Sequence, residues 1–198
     1  GVRHPWPGVI VGDTPNVETA VPHDLDGDGD FEVLSAISAG PRIIRAHFPP
    51  DDPADLLDES AWTTENFTQI PLDLWINIEP ADIDGENGTD LIIGSIGREG
   101  NFEAQIGWLR CPEDPSDTDA WTYHHLIEVQ WALALFSDDM DHDGDQDIVY
   151  SNRFGANNDR GVFWLENPGP DTPDFLTATW NRHLIGSRAE EVGYLDLI

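Results

Sequence analysis

A nine-residue acidic motif occurs three times at nearly constant spacing, and it constrains this chain more than any other feature. The clearest copy is Asp139-Met-Asp141-His-Asp143-Gly144-Asp145-Gln-Asp147, followed by the apolar run Ile148-Val149-Tyr150. The other two are Asp24-Leu-Asp26-Gly-Asp28-Gly29-Asp30-Phe-Glu32 and Asp82-Ile-Asp84-Gly-Glu86-Asn87-Gly88-Thr-Asp90, each also followed by aliphatic residues. Their first residues lie 58 and then 57 residues apart. Each unit reads as acidic loop, apolar strand, a second strand often ending in Trp-Leu, a Pro/Asp turn and a Trp-led strand. A period of this size with about four strands per unit is the mark of β-propeller blades, which bury their faces only by stacking on neighbours.

Within the third copy, carboxylates stand at positions 1, 3, 5, 7 and 9, with glycine at position 6. Alternation throws the side chains of positions 1, 3 and 5 toward one centre, and the glycine permits the reversal that returns position 9 to them. Two carboxylates about 4 Å apart repel by roughly 1 kcal/mol in water and about 4 kcal/mol in a partly buried setting. A hard cation with six to eight oxygen ligands removes that cost, and calcium suits a flexible all-oxygen site. The motif is not an EF-hand, because position 12 is Tyr150 rather than a bidentate glutamate and a strand, not a helix, follows. A solvated acidic turn is the plainer reading of any single copy; repetition argues against it. The second loop departs twice, with Glu86 one methylene longer at position 5 and Asn87 at position 6. Asparagine tolerates φ > 0 best after glycine, so weaker metal binding is expected there.

The expected division is 1–23 as the end of a preceding blade, then blades at 24–81, 82–138 and 139–198, all within one propeller. Trp6 with Val9-Ile10 repeats the Trp-then-aliphatic pattern, Val17 to Pro22 reads as a strand entering the first loop, and Val192 to Ile198 as a closing strand. With 15 Pro, 18 Gly and 8 Trp and no long 3.6-period segment, the chain reads as all-β. No run approaches 18 apolar residues, so no membrane insertion is expected. The start, Gly1-Val2-Arg3-His4, lacks a charged-then-apolar signal segment and reads as a mature or trimmed terminus. The single cysteine, Cys111, excludes an internal disulfide and a cysteine-based zinc site, and reads as a half-buried strand residue.

The formal charge is −30, and every basic side chain other than histidine is arginine. Three calcium ions would leave −24, so most of the excess is a surface property suited to salt water. Nucleic acid and anionic membranes would be repelled. Calcium sites of submillimolar to millimolar affinity fill outside the cell, which points to a secreted or cell-surface setting.

The loop D-x-D-x-D-G-x-x-D at this period, followed by an aliphatic strand, resembles the FG-GAP/VCBS repeat family, whose repeats form β-propellers; integrin α-subunits carry related calcium loops. Val162-Phe-Trp164-Leu-Glu-Asn-Pro-Gly169 with Trp180 to Ile185 adds to the likeness, which covers 24–198 as three units and 1–23 in part. Carried over by position, the resemblance implies calcium ligands Asp24, Asp26, Asp28, the Asp30 carbonyl and Glu32 in the first loop. It implies Asp82, Asp84, Glu86, the Gly88 carbonyl and Asp90 in the second, and Asp139, Asp141, Asp143, the Asp145 carbonyl and Asp147 in the third. Two to three structural Ca2+ ions are thus expected. Seven four-stranded antiparallel blades at this period would need roughly 400 residues. About three and a half blades are present, so the remainder of a larger propeller, or further copies, is expected to close the ring.

Trp62, Trp121 and Trp180, and likewise Trp108 and Trp164, recur at equivalent places and read as blade-to-blade packing. Trp75 and Trp131 share no register and are candidates for ligand contact. His183 and one of His124 or His125 share a strand position and read as structural. His23 and His142 do not repeat and lie near carboxylates, where a histidine can bind metal or act as a base. Glu79 and Asp138 sit on equivalent strands leading into the loops, where a propeller lines its channel. No catalytic residue is assigned. The expected function is a calcium-rigidified binding module for carbohydrate or a cell-surface ligand. The alternatives are a saccharide lyase or dehydratase on the same scaffold, and a purely structural repeat.

Overall fold

The structure, a computed structural model, describes residues 7–97, 104–154 and 159–186. The runs that follow each acidic loop become the second strand of a sheet. They are rich in β-branched and aromatic residues, and they are buried on both faces along nearly their whole length. Among the described residues three four-stranded antiparallel sheets form, each a simple meander in chain order. The first holds β1 (Val17–His23), β2 (Glu32–Ile37), β3 (Ile44–Phe48) and β4 (Thr63–Asn66). The second holds β5 (Trp75–Ala81), β6 (Asp90–Ser95), β7 (Ala104–Arg110) and β8 (Thr122–Val129). The third holds β9 (Ala132–Asp138), β10 (Asp147–Asn152), β11 (Gly161–Glu166) and β12 (Asn181–Leu184).

Each acidic loop is the hairpin between the first and second strands of its sheet. The repeat counted from loop to loop is therefore offset by one strand from the sheet. Trp6 and the stretch Val192 to Ile198 lie outside the described residues.

The sheets pack in sequence, with β1 against β5 and β5 against β9. Period-2 alternation lets the middle sheet serve two cores at once. Leu91 and Ile93 join Leu34, Ala46, Trp75 and Leu109 in the core shared with the first sheet. Ile92, between them, joins Trp108, Ile148, Tyr150 and Phe163 in the core shared with the third. Hydrogen bonds pin the same seams: Thr19 Oγ1 donates to the Ile76 carbonyl, and Asn77 Nδ2 donates to the Ala132 carbonyl at 2.5 Å.

Of the recurring tryptophans, Trp62 is half-exposed and joins neither core, its indole N–H donating to the Leu56 carbonyl at 3.1 Å; the others pack against neighbouring groups. Trp121 is fully buried, edge-on to Phe67 at 5.3 Å, and Trp180 is buried in the second core. Trp108 stacks on His124 at 4.8 Å and Trp164 on His183 at 4.3 Å, which makes His124, not His125, the partner of His183 in register. Trp108 is sealed between sheets, whereas Trp164, on the outward face of the third sheet beside Val149 and Phe136, is half-exposed.

The outward face of the first sheet differs. Where the other sheets carry Ile93 and Leu109 or Tyr150 and Leu165, this one carries Ser35 and His47. The buried His47 ring bonds Ser35 Oγ at 2.9 Å and Thr64 Oγ1 at 2.8 Å, and Gly12 lies so close that a Cβ there would be 2.4 Å from the imidazole. No helix among the described residues is long and apolar enough to cross a membrane.

Candidate metal centre

The three loops fold alike because the same acids do the same local work. In each, the position-9 acid is buried: Glu32, Asp90 and Asp147 are 2%, 0% and 1% exposed. Its carboxylate accepts the amide of position 2, so the loop's end is tied to its start. The distances are 2.7 Å from Leu25 N to Glu32, 2.8 Å from Ile83 N to Asp90 and 2.9 Å from Met140 N to Asp147. In the second and third loops the other oxygen accepts the amide just beyond the third strand, from Cys111 and Asn167 at 2.8 Å. The matching residue in the first sheet is Pro49, which has no N–H to give.

Position 1 organises the turn. Asp24 accepts from the Gly27 and Gly29 amides at 2.9 and 3.2 Å, and Asp139 accepts from Asp143 and Gly144 at 3.1 and 3.2 Å. Asp82 accepts from Gly85 at 2.8 Å. Position 6 has positive φ in every loop, at 97° for Gly29, 62° for Asn87 and 104° for Gly144. Position 4 is left-handed too, occupied by Gly27, Gly85 and, at φ 66°, by His142.

The outcome is a triad of acids per loop. Oxygens of Asp24, Asp26 and Glu32, of Asp82, Asp84 and Asp90, and of Asp139, Asp141 and Asp147 lie within 4.8 Å of one another. Each cluster is able to coordinate a metal ion. The position-5 side chains Asp28, Glu86 and Asp143 stand outside these triads: Asp28 and Asp143 accept the amides of Asp30 and Asp145 at 2.8 and 3.0 Å. Burial, and after it the neighbouring carboxylates, raises the pKa of Asp26, Glu32 and Asp147 against the opposing backbone hydrogen bonds. These are all-oxygen sites in which negative charge is costly, the donor set that fits a hard cation.

In the second loop a residue that spacing did not single out enters the cluster. Arg110, at the end of β7, donates Nε to Asp84 and Nη2 to Glu86, the latter at 2.7 Å. Asn87, at position 6, donates Nδ2 to the Cys111 carbonyl at 3.2 Å. Asn167, which in the sequence stands only within the stretch Val162 to Gly169, donates Nδ2 to the Ile83 carbonyl and to Gln146 O, both at 3.1 Å, and so couples the second and third loops.

Asp90 has its carboxyl pushed up to about 7, first by burial, with the amides of Cys111 and Ile83 opposing and the Asp84 and Asp82 charges adding. The folded pKa lies above the unfolded value of about 3.9, so its stabilisation is complete below that value and lost as pH rises through about 7. The ion-free chain is accordingly expected to melt at progressively lower temperature as pH is raised across that window, and Asp90→Asn to flatten the slope. An unaltered slope in Asp90→Asn removes the assignment. Burial also pushes the Cys111 thiol up to about 12, so it stays protonated beside the loop.

The remaining sequence candidates are dispersed. Trp75 is fully buried, its indole N–H bonded to the Pro71 carbonyl at 3.1 Å, and packs edge-on to Tyr123 at 6.0 Å. Trp131 is half-buried against Phe154 at 5.1 Å, with the Arg153 guanidinium 5.7 Å from its ring centre. Glu79, raised in pKa by burial, meets the backbone N–H and hydroxyl of Ser137 at 3.4 Å; Asp138, one residue on, is exposed and accepts the Asp139 amide at 3.0 Å. His23 is half-buried, with Nε2 lacking a hydrogen-bond partner among the described residues, and burial lowers its pKa. His142 is exposed within the third loop. No family model matches the chain, and no curated protein matches it.

Proposed function

We propose that the chain is a calcium-braced segment of a β-propeller of the FG-GAP/VCBS type, working outside the cell as a binding module for carbohydrate or another surface ligand. The three four-stranded sheets are its blades, and the loop-to-loop repeats 24–81, 82–138 and 139–198 run one strand out of step with them. The observation that carries the reading is the recurrence of one oxygen triad, at positions 1, 3 and 9, on the same hairpin of three successive sheets. Calcium would be held by Asp24, Asp26 and Glu32 in the first loop and by Asp139, Asp141 and Asp147 in the third. Asp28, Asp143 and the carbonyls of Asp30 and Asp145 complete the shell. The ion offsets clustered charge and fixes the hairpin; it has no reactive role. Ring completion is supported by the half-exposed Trp164, which pairs with Val149 at the register position where Trp108 of the second sheet, paired with Ile92, is sealed by the third.

A glycan array probed with the calcium-loaded chain, beside chain held in chelator, tests the ligand class. Calcium-dependent retention of glycans is expected. Failure of both forms to retain any glycan overturns the carbohydrate reading. Unsaturated sugar products, seen by ultraviolet absorbance, would move the chain to the enzyme class instead.

A further inference from the structure

The three acidic loops share one backbone plan but differ in the cation that each has to hand. At the end of the third strand, one residue past the pair that opposes β2, β6 or β10, the sheets carry Phe48, Arg110 and Glu166. Only the second sheet has a cation at that place. Arg110 uses it to bond Asp84, the buried position-3 acid of the triad, and Glu86 at position 5. Asp26 and Asp141, the position-3 acids of the other loops, are exposed.

The charge balance is matched as well. The first and third loops carry five acids each, and the second carries four, with Gly88 at position 7. One divalent ion would bring each of the first and third loops to −3. One guanidinium brings the second to the same value.

Space does not separate the two loops. Beside the first loop, at Phe48, a cavity of about 360 Å³ is lined by Asp26, Asp28, Asp30 and Glu32. Beside the second, the cleft of about 420 Å³ is lined by Arg110 together with Asp84 and Glu86. Solvent reaches both places, so an incoming ion at the second loop meets the guanidinium itself rather than a steric wall. Arg is suited to this task, being always charged and able to bridge two carboxylates with separate nitrogens.

We propose that Arg110 is the resident counter-ion of the second loop, so that the chain takes calcium at the first and third loops and the second holds its shape without it. This rests on the calcium reading above and fixes its stoichiometry. Position 6 agrees: Asn87 ties the loop to the Cys111 carbonyl, a protein contact that the glycines of the other loops cannot make.

The test is an ion count on the whole chain, stripped with chelator and titrated with calcium chloride under native mass spectrometry, with calorimetry alongside. Two ions are expected in the wild type. Asp139→Asn is expected to lose one of them, and Asp82→Asn to lose none. Arg110→Gln is expected to take up a third ion and, in chelator, to melt below the wild type. A wild-type count of three, loss of an ion in Asp82→Asn, or a folded Arg110→Gln still holding two overturns the proposal while leaving the calcium reading intact. A wild-type count of zero overturns the calcium reading, and this inference with it. If Arg110→Gln does not fold, the comparison of Asp82→Asn with Asp139→Asn decides.

Discussion

In chelator the chain is expected to melt about 10–20 °C below its transition in excess calcium. An ion that binds only the folded loop stabilises by about 2.7 kcal/mol when present at a hundred times its Kd, so two sites contribute about 5 kcal/mol. For a chain of this length each kcal/mol moves the transition by roughly 2–4 °C. The effect should be large because the ion acts where the fold is most strained electrostatically, at hairpins whose buried position-9 acids already anchor two strands. Scanning calorimetry in calcium, and in magnesium at equal ionic strength, separates a specific ion from general screening of a chain at −30. Coincident transitions in calcium, magnesium and chelator would sink the metal reading.

The second large effect is expected from Trp75→Ala, at about 3–5 kcal/mol of lost stability. Trp75 fills the core between the first two sheets at 0% exposure, and its truncation leaves a large cavity and an unpaired Pro71 carbonyl. The half-buried Trp131 should cost much less when truncated. Chemical denaturation of both variants beside the wild type checks this. If Trp75→Ala keeps its midpoint, the indole is not a core element, and a ligand-contact role for it returns.

These two residues also mark how far sequence carried. The loops were legible because they are local: alternation, a turn residue and a final acid lie within nine positions, so the triads at 1, 3 and 9 follow from chain geometry. The position-5 side chains stand outside these triads, since Asp28 and Asp143 turn back to cap their own loops. The strands and their four-per-sheet grouping were legible from the period, because every unit repeats the same apolar runs. Trp75 was misjudged because its burial depends on Tyr123, Pro71 and the neighbouring sheet, none of which its own register reveals. Arg110 and Asn167 escaped notice for a related reason. Arg110, at the end of the third strand, and Asn167, just beyond it, reach the loops from 20 or more residues away, and neither side chain recurs at the equivalent place in the other two sheets.

The one-strand offset between loop repeat and sheet bears on any attempt to dissect the molecule. A fragment excised from residue 24 to residue 81 would carry three strands of one sheet plus the orphaned first strand of the next. It would also sever each acidic hairpin from the strand that enters it. Cuts placed between β4 and β5, or in the two-residue link between β8 and β9, keep hairpins whole and expose a single face per break. Pieces made that way are the ones in which an isolated loop can be asked to grip its cation.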